Sequence, residues 1–119
     1  MSVLLVAEVH GRTGLEPQLR VLLRELADAS NTEPECASFR VLDAEEPSEF
    51  VLLGLWSTET AMRDHYDTSH YRRYRDQVQP LLARPSDVVV HHISPTVHAV
   101  DPTRRTLGCS DKASLLLYV

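Results

Sequence analysis

Eight consecutive residues, Glu49-Phe50-Val51-Leu52-Leu53-Gly54-Leu55-Trp56, set the tightest constraint on what this chain can fold into. They read as a strand whose two faces are Phe50, Leu52, Gly54, Trp56 and Val51, Leu53, Leu55. Successive side chains of a strand point to opposite faces, so a strand with water on one side alternates apolar with polar residues. Here both faces are apolar, which predicts a sheet covered on both sides. The chain has too few helical segments to cover both, so the second cover is expected to be another subunit, giving a homodimer.

The flanking segments fit one sheet. Val3 to His10 alternates, with Val3, Leu5, Ala7 and Val9 on one face, and Gly11 and Gly14 end it. Thr13 and Glu16 have the spacing of a capping box, and Pro17 falls in the first helical turn. Leu15, Leu19, Leu22, Leu26 and Ala29 then make the stripe of an amphipathic helix, which Ser30-Asn31-Thr32-Glu33-Pro34 stops. A second strand is expected from Cys36 to Leu42, with Ala37, Phe39 and Val41 on one face. Thr58 is placed to cap a short helix carrying Ala61, Met62, His65 and Tyr66, and Ser69 to cap another carrying Tyr71, Tyr74, Val78 and Leu81. Pro80 predicts a kink or an early end, and Asp87 to Ser94 a fourth strand. The order is β-α-β-β-α-β, which predicts an α+β, ferredoxin-like antiparallel sheet with helices on one face. That domain is expected over residues 1–95. Residues 96–119 read as a C-terminal arm ending in a possible extra strand, Leu115 to Val119, and docking most readily across the dimer.

Composition excludes several classes. Twelve Lys and Arg against seventeen Asp and Glu give a net charge of −5, which argues against nucleic acid or an anionic membrane as partner. Tyr71-Arg72-Arg73-Tyr74-Arg75 interleaves aromatic and basic residues, but on a helix the arginines fan outward as a solvated face. The opening residues lack a secretory signal, no run is long enough for a membrane helix, and two cysteines make no disulfide framework. A soluble cytoplasmic protein is the expectation. No dinucleotide fingerprint, nucleophile elbow or phosphate loop is present, so no cofactor is expected. No metal is expected either. His91 and His92 are adjacent in a strand and point to opposite faces, and neither Cys36 nor Cys109 stands at zinc-ligand spacing.

The stretch from Trp56 to Tyr71, with His65 and His70 separated by four residues, resembles the antibiotic biosynthesis monooxygenase family. These are small dimeric ferredoxin-like domains in which a tryptophan ends strand three and His-x4-His follows. Glu33-Pro34-Glu35-Cys36 is similar to the family's Glu-Pro-Gly-Cys entry to strand two, with Glu35 in place of glycine, and Leu81-Leu82-Ala83-Arg84-Pro85 matches a Leu-Leu-x-x-Pro stretch. The quinone-forming members place asparagine where this chain has Leu52. The haem-degrading members place a histidine ligand about where Arg75 stands, and a guanidinium cannot ligate iron, so the resemblance points away from haem.

What it implies is cofactor-independent oxygenation of an aromatic polyketide-like or quinol substrate by dioxygen. Proton removal makes such a substrate an electron-rich anion, and His65 or His70 suits that step because histidine titrates near neutral pH. Trp56, Phe50 and Leu52 are candidate pocket walls, with Gly54 leaving room for either a ligand or a close packing contact. Tyr66 and Tyr71 are candidates to give a hydroxyl to a phenolate. A non-catalytic small-molecule-binding or structural dimer on the same fold, or a small-molecule isomerase, are the alternatives.

Overall fold

The computed structural model describes residues 2–94 of the 119. They run β1 (Ser2–His10), α1 (Glu16–Ser30), β2 (Cys36–Asp43), β3 (Glu49–Trp56), α2 (Glu59–His65), α3 (Ser69–Val78), a 3₁₀ turn at Gln79–Leu81 and β4 (Asp87–Ile93). The sheet order is β2-β3-β1-β4, antiparallel throughout. This is the ferredoxin-like α+β fold that the sequence predicts. The arm over residues 96–119 lies outside the described residues.

Register explains which residues make the core. Val3, Leu5, Ala7 and Val9 of β1 lie opposite Trp56, Gly54, Leu52 and Phe50 of β3, and all of these side of the sheet faces the helices. From above, Leu19, Leu22, Leu23, Leu26 and Ala27 of α1, Met62 of α2, and Tyr74 and Val78 of α3 close over them. Leu23 and Ala27 widen the predicted stripe of α1, as a helix facing a broad sheet requires. The opposite sheet face carries Leu4, Val6, Val51, Leu53 and Leu55, all half-buried, with Leu42 and Val89 exposed beside them.

Three local expectations are corrected. Thr13 caps nothing: Leu15 is the N-cap of α1 and makes no side-chain cap bond. Instead Leu15 N–H donates to the Arg12 carbonyl at 3.0 Å across a tight turn, in which Gly14 takes φ 92°, a conformation that favours glycine. Thr68, not Ser69, caps α3, its hydroxyl accepting from Tyr71 N–H at 3.2 Å. In β2 the register shifts between Cys36 and Ser38, so Ala37 is exposed and only Phe39 and Val41 join the helix side. Thr58 caps α2 as expected, and α3 ends at Val78 ahead of Pro80.

A buried imidazole ties three strands together. His10, 4% exposed at the end of β1, bonds Asp87 Oδ2 through Nε2 at 2.8 Å and Glu49 through Nδ1. The Asp87 bond, with Glu49, raises its pKa above the usual value, against the opposing pull of burial and of Arg84. Its contribution to stability is therefore complete below the unfolded value of about 6.5 and is lost as pH rises through the higher folded value. His65 has the opposite sign. Burial first, and the charge of His70 last, lower its pKa despite Glu33, so its contribution is complete above about 6.5 and is lost as pH falls through its lower folded value. Chemical denaturation against pH is expected to show a falling alkaline limb that flattens in His10→Gln. An unchanged limb in that variant would show that the imidazole is not what titrates.

Candidate active site

The two predicted histidines meet because of a break between helices. Thr68 holds the break: its hydroxyl donates to the His65 carbonyl at 2.6 Å, at the end of α2, while accepting from Tyr71 N–H in the first turn of α3. One side chain thus closes one helix and starts the next. His65 and His70 are left with ring centroids 5.9 Å apart.

Between them stands Glu33, from the loop joining α1 to β2. Asn31 pins that loop, its amide donating to the Ala27 and Phe39 carbonyls and accepting from Phe39 N–H, each at 2.9 Å. Glu33 Oε2 lies 2.7 Å from His65 Nδ1 and 2.7 Å from His70 Nε2, while Trp56 Nε1–H donates to Oε1 at 3.1 Å. Burial would raise the Glu33 carboxyl, but hydrogen bonds from His65, His70 and Trp56 outweigh it and hold the group below the usual carboxylate range. Glu33 is therefore ionised at neutral pH and can only accept. Each histidine must donate to it, which assigns N–H to His65 Nδ1 and to His70 Nε2. Neutral His65 then carries its lone pair on Nε2, for which no partner stands among the described residues.

His65 is 2% exposed and surrounded by rings: Trp56 at 5.0 Å, Tyr71 at 5.2 Å, Tyr66 at 5.5 Å and Phe39 at 5.6 Å between centroids. It lines a pocket between sheet and helices. The floor is Leu5, Ala7, Val9, Phe39 and Leu52, with Leu26 of α1 also contributing; the helical wall is His65, Tyr66, Tyr71 and Tyr74, and Ser86 and Val88 lie beside β4. The cavity is about 80 Å³, smaller than the roughly 150 Å³ space that holds benzene in an engineered core. Burial pushes the phenols of Tyr66, Tyr71 and Tyr74 up, so all three remain hydrogen-bond donors at neutral pH. Among the described residues, no lysine or arginine lines the pocket.

The other predicted residues lie elsewhere. Trp56 is fully buried and its indole occupies the space above Gly54, where an added Cβ would come within 2.4 Å of the ring. The room at Gly54 is thus taken by packing, not left for a ligand. Phe50 is packed under the Arg20 guanidinium, 5.1 Å from the ring centre, at the other end of β3. His70 is bonded to Glu33, which also holds His65, but neither His70 nor Glu33 lines the pocket. Burial pushes the half-buried Cys36 thiol up, away from nucleophilic character.

Sequence reasoning missed Glu33 and Tyr74. Glu33 stood in the Glu-Pro-Glu-Cys stretch that carries the family resemblance, which was the available signal. It also missed that donors distant in sequence converge. Glu33, His65 and His70 each bring one atom within 4.8 Å of the others, as do Glu8, His10 and Asp87. In the first group the two imidazole protons already fill the space around Oε2, so an ion would have to displace both.

Comparison with known proteins agrees with this architecture. The family model for antibiotic biosynthesis monooxygenase matches residues 2–77. A Mycobacterium tuberculosis protein with a provisional monooxygenase name is 31% identical over 88 residues, covering 74% of this chain and 87% of its own length. Its solved structure superposes with a TM-score of 0.74 at 29% identity, over 84% of this chain and all of that one. A Nitrosomonas europaea structure, provisionally named an antibiotic biosynthesis monooxygenase, gives 0.75 at 26% identity, over 81% of this chain and 94% of that one. A Deinococcus radiodurans structure at 19% identity, covering 83% of this chain and 99% of that one, shares the fold with a TM-score of 0.76. By the family match over residues 2–77 and the 31% identical relative, the chain belongs to the antibiotic biosynthesis monooxygenase family.

Proposed function

We propose that this protein is a cofactor-independent monooxygenase acting on a neutral quinol or phenol, one ring of which enters the pocket, with His65 as general base. The observation that carries this reading is His65 itself, buried against an apolar pocket with Nδ1 committed to Glu33 and Nε2 left for a ligand. The lack of a cationic side chain among the described lining residues favours an uncharged substrate. The tyrosine phenols supply donors for the charge that appears when its proton leaves. The small cavity favours a single ring over a fused polycyclic one, that ring seated only partly inside and partly at the mouth beside Ser86 and Val88, the latter 49% exposed.

The reaction balances without a cofactor. His65 Nε2 takes the hydroxyl proton, and the ring anion passes one electron to dioxygen. The two radicals join as a peroxide at a ring carbon. That carbon then gives up its proton as the O–O bond breaks, leaving one oxygen as a carbonyl and releasing the other with the protons as water. Oxygen uptake with a panel of hydroquinones, naphthols and anthrones tests this. Uptake matched by quinone formation with single-ring quinols is the expected result. Binding without uptake would overturn it in favour of a non-catalytic role, which the packing of Trp56 and Phe50 into the core supports. Substrate rearrangement without uptake would favour an isomerase using the same base.

The working unit is a homodimer formed through the apolar sheet face of Leu4, Val6, Val51, Leu53 and Leu55. Leaving such a face in water forfeits about 25 cal/mol for each Å² of apolar surface. Sedimentation at micromolar concentration is expected to give about twice the 13.4 kDa chain mass. Lysine in place of Leu53, at the middle of that face, is expected to give monomers.

A further inference from the structure

We propose that Glu33 is the positioning residue of this site: it locks His65 in the Nδ1–H tautomer, and so makes His65 rather than His70 the base. This rests on the proposed reading of His65 as the base. The geometry is specific. A single carboxylate oxygen receives both imidazoles at 2.7 Å, while the second oxygen is held by the indole of Trp56 at 3.1 Å. The carboxylate cannot turn away from one histidine without losing the other and the indole as well. An ionised carboxylate has no proton to give, so neither imidazole can present a lone pair to it. For His65 the free lone pair is then on Nε2, inside a residue that lines the pocket. For His70 it is on Nδ1, in a side chain that does not line it. The same carboxylate offsets the positive charge that His65 acquires on taking the substrate proton, the role a buried acid plays toward the histidine of hydrolytic triads.

The groups facing His65 come from every neighbouring element. Glu33 approaches from the α1–β2 loop, Trp56 from β3, Phe39 from β2, Tyr66 from the end of its own helix, and His70 and Tyr71 from α3. Among the described residues, only Glu33 accepts a hydrogen bond from the His65 ring. Its isosteric amide keeps a single acceptor oxygen; the indole N–H can only donate, so that oxygen stays with Trp56, and the amide NH2 meets both imidazoles as a donor and no longer dictates their tautomers.

Long-range ¹H–¹⁵N NMR of the full chain, without substrate, reads the tautomer directly. His65 is expected as Nδ1–H with unprotonated Nε2 in the parent protein and in His70→Gln, and to lose that bias in Glu33→Gln. An Nε2–H tautomer in the parent, or a tautomer unchanged in Glu33→Gln, would overturn the assignment. So would loss of the tautomer in His70→Gln, since His70 would then be the controlling group. Turnover separates this from the functional reading. If the tautomer follows Glu33, Glu33→Gln is expected to lower kcat by about 10²-fold or more with KM little changed. The expected tautomers in a protein that takes up no oxygen would overturn the oxygenase reading and leave the positioning by Glu33 intact.

Discussion

His65→Ala is expected to lower oxygen-dependent turnover by about 10²-fold or more, the usual worth of a positioned general base. The variant loses the imidazole that lines the pocket and leaves Glu33 with His70 and Trp56 as donors, so the carboxylate stays satisfied and the fold is retained. His70→Ala is expected to cost less, because its ring does not line the pocket. The comparison is made at saturating quinol with circular dichroism and sedimentation as controls for folding. Equal activity in the double variant and the parent would remove the base from the mechanism.

The largest effect on stability is expected from Trp56→Ala. The indole is fully buried, packs edge-on to Phe39 at 5.9 Å, lies 5.0 Å from His65 and fills the volume that Gly54 leaves open. Its loss opens a cavity and also takes the donor from Glu33 Oε1. Truncating a buried aromatic in this way costs about 3–5 kcal/mol, a large part of the 5–15 kcal/mol by which domains of this size are stable. Urea unfolding measures it. Gly54→Val is expected to destabilise from the other side, since a side chain there meets the indole ring rather than a movable chain end. A Trp56→Ala protein of undiminished midpoint would show that the indole sits in a yielding part of the core.

The sheet was legible because alternation is a local signal. β3 could be read to the residue from eight positions, and the stripe of α1 from the spacing of its leucines. What escaped were features decided by atoms that sequence spacing does not bring together. Thr13 has the right neighbour for a cap, yet the turn built on Gly14 carries the chain past it before the helix begins. Ala37 fits an alternating strand, but the bulge after Cys36 turns it outward. Trp56 was legible as either wall or core, and the choice was made by Gly54, two residues earlier on the same face. In the site, His65 and His70 could be named because one helix break holds both. Glu33 lies more than thirty residues away in sequence, and its position depends on the Asn31 amide bridging α1 to β2. Its chemical weight comes from convergence, which no single segment contains.

The strand order has a consequence for how the protein is made. β1 is synthesised before the other strands, yet it occupies the interior of the sheet, and one of its two partners is β4, some eighty residues later. Contacts so far apart form late and slow folding, because a long loop must close before they give any return. A chain still emerging from the ribosome can pair β1 with β3 and seat α1, but Leu5, Ala7 and Val9 stay without β4 along one side. Ser86 and Val88 reach the pocket only at that last step. Among the described strands β4 is the last to be made, so the pocket stays open on that side until it pairs.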